Sequence, residues 1–218
     1  MKIKEIIDLS VSLENDMPIY PGDPSPDFKS TLTLEEHGVL VTQMQLGTHT
    51  GSHMDAPLHF IEGGQSIDAL DLRKLVTEAI VLDLSYKEIG SAITIEDLEK
   101  FSDKIGAGDG ILLYTGTSKL WGNDKILRNF TYIDPRAAQW LVEKKVSIVG
   151  IDCLSVEKYK ADTPETHKTL LGNNIPLIET LSSNLEKIVG ERVLLIALPL
   201  KIKGRDAAPA RVIAIRNK

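Results

Sequence analysis

Eight short apolar runs recur along the chain: IKEIIDLS, VLVTQMQLG, AIVLDLS, GILLYTG, VSIVGID, IPLIE, RVLLIAL and ARVIAIR. Each is rich in Val, Ile or Leu and is bounded by Gly, Pro, Ser or Asp, the signature of short strands rather than long helices. Helix-period segments with start signals lie between several of them. TIEDLEKF follows Thr94, and in DPRAAQWLVEKK Asp134 stands as an N-cap with Pro135 at the first helical position. The alternation predicts an α/β fold with a mixed sheet. Residues 3 to 60 differ, since they offer strands and the Pro/Gly-rich turn MPIYPGDPSP with little helical periodicity, and a meander or hairpin is expected there. No repeat, low-complexity tract or linker divides the 218 residues, so a single domain spanning 1–218 is expected.

Composition narrows the partners. The 31 acidic and 25 basic residues give a net charge of −6 with no long run of either sign, which argues against nucleic acid and anionic membrane surfaces. A small-molecule substrate is the expected partner, together with further copies of the chain in a homo-oligomer. The only cysteine, Cys153, sits in the apolar stretch SIVGIDCL, so no internal disulfide forms and a buried thiol is expected. MKIKEIIDLS reads as a strand rather than a signal peptide, and no apolar run approaches the ~20 residues of a membrane span. A cytoplasmic protein is the expectation.

The chemistry concentrates in GTHTGSHMDAPLHF, residues 47 to 60, which hold His49, His53 and His59, three of the five histidines, together with Asp55. A single histidine is usually an ordinary loop or core residue, but three beside a carboxylate suit a metal site. Gly47, Gly51 and Pro57 disfavour a continuous helix. In an extended path His53 and Asp55 share a face, and the Thr50-Gly51-Ser52 turn brings His49 round. Imidazole with carboxylate suits Zn²⁺, Mn²⁺ or Fe²⁺, and the lack of thiolates argues against a closed structural zinc site. Of the remaining histidines, His37 in LEEHGVL reads as a solvated strand-end residue. His167 follows a Pro-containing loop, and Glu179 ends the run IPLIE, where a carboxylate meets a loop; both are typical ligand positions.

These residues resemble a known family. GTHTGSHMDAPLHF is similar to the H-x-G-[TS]-H-x-D-x-P-x-H signature of the cyclase family, which includes bacterial kynurenine formamidases, and the likeness continues through IYPGDP, GIDCLSVE and PLKIKGRDAAPARVIAI. The resemblance implies a compact α/β fold of the swivelling β/β/α type and one or two divalent ions, Zn²⁺ or in some members Mn²⁺. Position by position it implies that His49, His53, Asp55, His167 and Glu179 ligate metal, with His53 and Asp55 able to touch both ions. It assigns His59 as the catalytic acid/base and Tyr20 as an aromatic lining the substrate pocket. One departure concerns the substrate: formamidases of the family carry Trp before the Pro-Gly-Asp step, where this chain has Tyr20. The family also holds isatin hydrolase-like enzymes and proteins named for polyketide cyclisation.

The expected activity is hydrolysis of the carbon–nitrogen bond of an aryl formamide such as N-formylkynurenine by metal-activated water, with His59 shuttling the proton. A cyclic-amide hydrolase or cyclase of the same family is the alternative, and a non-catalytic metal- or effector-binding protein is the alternative of a different class. A serine hydrolase is disfavoured because no G-x-S-x-G elbow occurs and Ser52 lacks a strand-to-helix setting. Trp121, Trp140, Asp152, Arg205 and Arg211 have ordinary packing, capping or surface explanations.

Overall fold

Three strands have no polar face. β5 (Val76–Asp83) is buried over its second half, and β7 (Gly110–Tyr114) and β9 (Ile148–Ile151) are buried at every residue. Runs apolar on both sides belong in the middle of a parallel sheet covered by helices. The computed structural model, which describes residues 3 to 217, places them there: β5, β7 and β9 pair in parallel, and β10 (Leu177–Glu179) extends the set.

Parallel neighbours need crossovers, and α3, α4 and α5 lie within the three that join these strands: α3 (Ile95–Glu99), α4 (Pro135–Glu143) and α5 (Glu165–Gly172). Thr94 and Asp97 form a capping box at α3, and Asp134 accepts from the Arg136 N–H at the start of α4 with Pro135 in the first turn. The earlier helices α1 (Leu34–His37) and α2 (Leu72–Leu75) are single turns.

The other side of the sheet is antiparallel. β10 pairs β4 (His53–Asp55), β4 pairs the start of β12 (Ala207–Asn217), β12 pairs β11 (Arg192–Pro199), and β11 returns to β5. The eleven-residue β12 therefore closes seven strands into a barrel-like ring, with β1 (Ile3–Asp8) added to its free edge. Alternate residues face inward and outward. Met54, Val81, Leu112, Ile178, Leu195 and Ala208 fill the ring, while Leu82, Leu113 and Ile151 pack outward against Leu98, Leu141 and Leu170 of the helices.

The first third holds the expected hairpin, β2 (Asp27–Leu32) with β3 (Val41–Gln45). β3 is exposed along its whole length, because the hairpin stands away from the sheet, and α1 caps its tip. His37, expected at a strand end, instead closes that helical turn: Thr33 is its N-cap and Gly38 its left-handed C-cap at φ 66°. Two further short strands, β6 (Ala92–Ile93) and β8 (Tyr132–Ile133), pair beside the helices. No helix among the described residues is long and apolar enough to cross a membrane.

Candidate metal centre and active site

β4 is three residues long, yet it is held on both sides. Its register sets His53 opposite Glu179 of β10 and opposite Pro209 of β12, and Asp55 opposite Leu177 and Ala207. Residues opposite one another share a face, so Glu179 joins His53 and Asp55 on one side while Met54 fills the ring on the other. Gly51, at a left-handed φ of 66° that favours glycine, turns the chain so that His49 folds back over Asp55. Past Ala56, Pro57 opens a single turn ending at His59, pinned by the Ile61 N–H to Pro57 carbonyl bond of 2.9 Å. His167 enters from α5, at the third residue of the helix.

Five of the residues singled out in the sequence thus meet across more than a hundred positions. His49 Nδ1 lies 2.9 Å from Asp55 Oδ1 and His53 Nε2 lies 3.3 Å from the same oxygen. His167 Nε2 is 3.7 Å from Asp55 Oδ2 and 3.3 Å from Glu179 Oε1, and His53 Nε2 is 3.5 Å from Glu179 Oε2. Asp55 is fully buried, and although imidazole nitrogens come as close as 2.9 Å, none makes a well-aligned hydrogen bond to either of its oxygens, and His53 Nε2 likewise has no well-aligned partner. Orphaned buried polar atoms are costly, and these converge. Two donors each about 2.0–2.2 Å from a shared cation stand roughly 3–3.5 Å apart, which is the spacing found here, so the residues fit a divalent ion. The ligand atoms of His49, Asp55 and His59, and those of His53, Asp55 and Glu179, form two groups whose members all lie within 4.8 Å of one another.

The outward nitrogen of each of these three histidines is also occupied. His53 Nδ1 bonds the Gly51 carbonyl at 2.8 Å, His167 Nδ1 faces Glu157 Oε2 at 3.3 Å, and His49 Nε2 bonds Asp206 Oδ2 at 2.8 Å. Glu157 Oε2 also accepts from the backbone N–H groups of Thr166 and His167. Neither Glu157 nor Asp206 stood out in the sequence. Each is a single acid in a stretch without periodic pattern; both lie in stretches that resemble the family, GIDCLSVE and PLKIKGRDAAPARVIAI, but nothing in their spacing marks a role.

Electrostatics separates the four histidines. Burial by itself pulls His49, His53 and His167 down. The Asp55 charge and the Asp206 bond raise His49 to about 9, contacts with Asp55 and Glu179 raise His53 to about 10, and Glu157 with Glu179 raises His167 to about 9. Burial opposes ionisation of Asp55, yet the facing imidazoles hold it well below the carboxylate range. Two sequestered carboxylates demand cationic charge. His59 moves the other way, lowered chiefly by burial and also by the neighbouring His49 and His167, with Asp55 opposing. Its ring packs 4.2 Å from those of His49 and Phe60.

A cavity of about 270 Å³ opens over this cluster, with His49, His53, His59, His167 and Glu179 among its lining residues. Tyr20, Asp23, Phe60, Leu154, Lys158 and Lys160 line its other walls, and the Tyr20 ring meets Tyr159 edge-on at 5.8 Å. Trp121 and Trp140 pack on the core away from it, Arg211 pairs with Asp8, and Asp152 is buried, accepting from Thr115, Gly116 and Ser118. Cys153 is a buried free thiol.

The sequence profile described as "Putative cyclase" matches residues 7–158. This chain belongs to the cyclase family. A kynurenine formamidase of Erythrobacter litoralis is 31% identical to the cyclase-family chain over 211 residues, covering 96% of it and 93% of the relative. A solved structure described as a potential metal-dependent hydrolase with cyclase activity is 31% identical with a TM-score of 0.83, covering 98% of each chain. An isatin hydrolase bound to the product analogue thioisatinate superposes with a TM-score of 0.90 over 98% of this cyclase-family chain and 93% of its own; at 24% identity that likeness speaks to the fold.

Proposed function

We propose that this cyclase-family chain is a metal-dependent amide hydrolase that cleaves the carbon–nitrogen bond of an aryl formamide such as N-formylkynurenine. The observation that carries the reading is Asp55, a fully buried carboxylate whose two oxygens lack well-aligned hydrogen bonds and face imidazoles on both sides. In this reading His49, His53, Asp55, His167 and Glu179 would hold the divalent metal, one ion or two. The mixed nitrogen and oxygen set favours Zn²⁺, with Mn²⁺ as the alternative. A divalent ion held there supplies Lewis acidity toward a carbonyl oxygen and acidifies water.

The chain's own residues do the rest. His59, kept neutral at pH 7 by burial, accepts the proton of the attacking water at Nε2, since Nδ1 faces Asp206 at 3.6 Å, and returns it to the leaving nitrogen. Tyr20 and Phe60 offer flat apolar walls to an aromatic ring. The reading extends to a cytoplasmic homo-oligomer: Cys153 is unpaired, and Leu34, Leu40, Val41 and Met44 stand exposed on the β2–β3 hairpin.

The test is a substrate panel. Metal-stripped protein reconstituted separately with Zn²⁺ and with Mn²⁺ is assayed on N-formylkynurenine, isatin and simple cyclic amides. Preferred hydrolysis of the formamide is expected, with Tyr20→Trp altering the ratio between substrates. Preferred turnover of isatin makes the chain a cyclic-amide hydrolase, and turnover of none leaves a binding protein.

A further inference from the structure

Asp206 is a carboxylate that faces two of the site's histidines, His49 and His59, from outside the ligand cluster. It sits immediately before β12, and its backbone is fixed there: its carbonyl accepts from the Ala56 N–H at 2.8 Å, while the carbonyl of the preceding Arg205 accepts from Ile67 at 2.9 Å. Ala207 then pairs with Asp55, so the register that closes the ring also delivers Asp206 to the rim of the cluster. Its Oδ2 takes the His49 Nε2 bond at 2.8 Å and the Thr48 hydroxyl at 3.3 Å, and lies 3.6 Å from His59 Nδ1.

His49 has a carboxylate at each nitrogen, Asp55 at Nδ1 and Asp206 at Nε2. Only one nitrogen can keep its proton while the other donates a lone pair to a cation. Asp55 belongs to the buried convergence with His53, His167 and Glu179, whereas the Asp206 side chain is 35% exposed and lies outside it. Nδ1 is therefore the atom turned toward the cluster, and Nε2 the one turned toward Asp206.

Resting on the metal-hydrolase reading above, we propose that Asp206 is a positioning residue that locks His49 into its Nε2–H tautomer, aims Nδ1 at the cation position, and steadies the His59 ring with the same oxygen. Carboxylates behind ligating imidazoles act in this way generally: they fix the ring and raise its basicity. Asp206 acts on two rings at once because the His49 and His59 rings lie 4.2 Å apart, tilted by 39°, with Oδ2 within 2.8 Å of one and 3.6 Å of the other.

The experiment compares wild type, Asp206→Ala and Asp206→Asn. Zn²⁺ affinity is read by competition with a chromophoric chelator, and the His49 tautomer by ¹⁵N-histidine NMR of the Zn²⁺-loaded protein. Asp206→Ala is expected to weaken Zn²⁺ binding by about 10- to 100-fold and to abolish the protected Nε2–H signal of His49. Asp206→Asn, which keeps an acceptor but no charge, is expected to retain the signal with a smaller loss of affinity. A merely structural residue would lower the melting temperature and leave both readouts of the folded protein unchanged. Wild-type affinity with an intact Nε2–H signal in Asp206→Ala overturns the proposal. If that variant does not fold, the Asn variant decides: affinity lowered by up to about tenfold supports the proposal, and unchanged affinity overturns it. Wild type that takes up no Zn²⁺ overturns the metal reading first, and the role of Asp206 with it.

Discussion

His53 and His59 lie six positions apart and are given opposite tasks by their surroundings. His53 is buried between two carboxylates that favour positive charge at its Nε2, while His59 is kept below its ordinary value and touches the cluster from the cavity side. Substitution should separate them. His59→Ala is expected to keep bound metal and lower turnover by about 10²–10⁴-fold, the contribution of general acid/base catalysis. His53→Ala is expected to lose metal, with activity lost in consequence. Metal content measured beside rate checks both: a metal-free His59→Ala protein makes His59 a ligand, as its closeness to His49 and Asp55 allows, and undiminished turnover removes it from the mechanism. At this scale the candidate site was legible where possible ligands crowd into one window, because three imidazoles and a carboxylate within eleven positions have few other uses. Asp206 and Glu157 were not legible, since a lone acid in a loop is usually solvated, and what makes these two different is an imidazole brought to them by distant segments.

The elements do most of the positioning. β4 contributes two of the candidate ligands from three residues, and it stays extended because β10 and β12 flank it. Its extended path could be read from Gly51 and Pro57, but its two partners lie over a hundred residues away and left no local mark. The caps of α3 and α4 were legible because capping is local chemistry. The run at Val41–Gln45 was read as a strand, and its exposure was not, since an apolar run reports propensity and not what covers it. Gly150 of β9 connects packing to the site. A Cβ there would lie 2.6 Å from Leu112 Cδ2 and 3.1 Å from Leu181 Cδ1, and Gly150 is paired with Ile178, the residue before Glu179. Gly150→Ala is expected to cost about 1–3 kcal/mol in urea unfolding, as overpacking of a filled core does. It should also weaken metal binding by displacing β10. An unchanged unfolding midpoint would show that Leu112 gives way without cost.

At the scale of the molecule, the closed ring is what turns a mixed sheet into a hydrolase frame. β12 runs from Asp55 at one end to β1 at the other, so the C-terminal strand and the N-terminal third of the chain are welded at the cluster, and the helices cover the opposite side of the parallel strands. The α/β class followed from run lengths and caps alone. The closure did not, because nothing in RVIAIR itself says that Ala207–Pro209 will pair with His53–Asp55. In the proposed reading the five converging side chains hold divalent metal on which hydrolysis depends. The most direct measurement titrates metal-stripped protein with Zn²⁺ while following bound metal and N-formylkynurenine hydrolysis in the same samples. Activity should be absent at the start, rise in step with occupancy and saturate with it; full activity in the stripped protein, or occupancy that saturates with no hydrolysis, would contradict the claim.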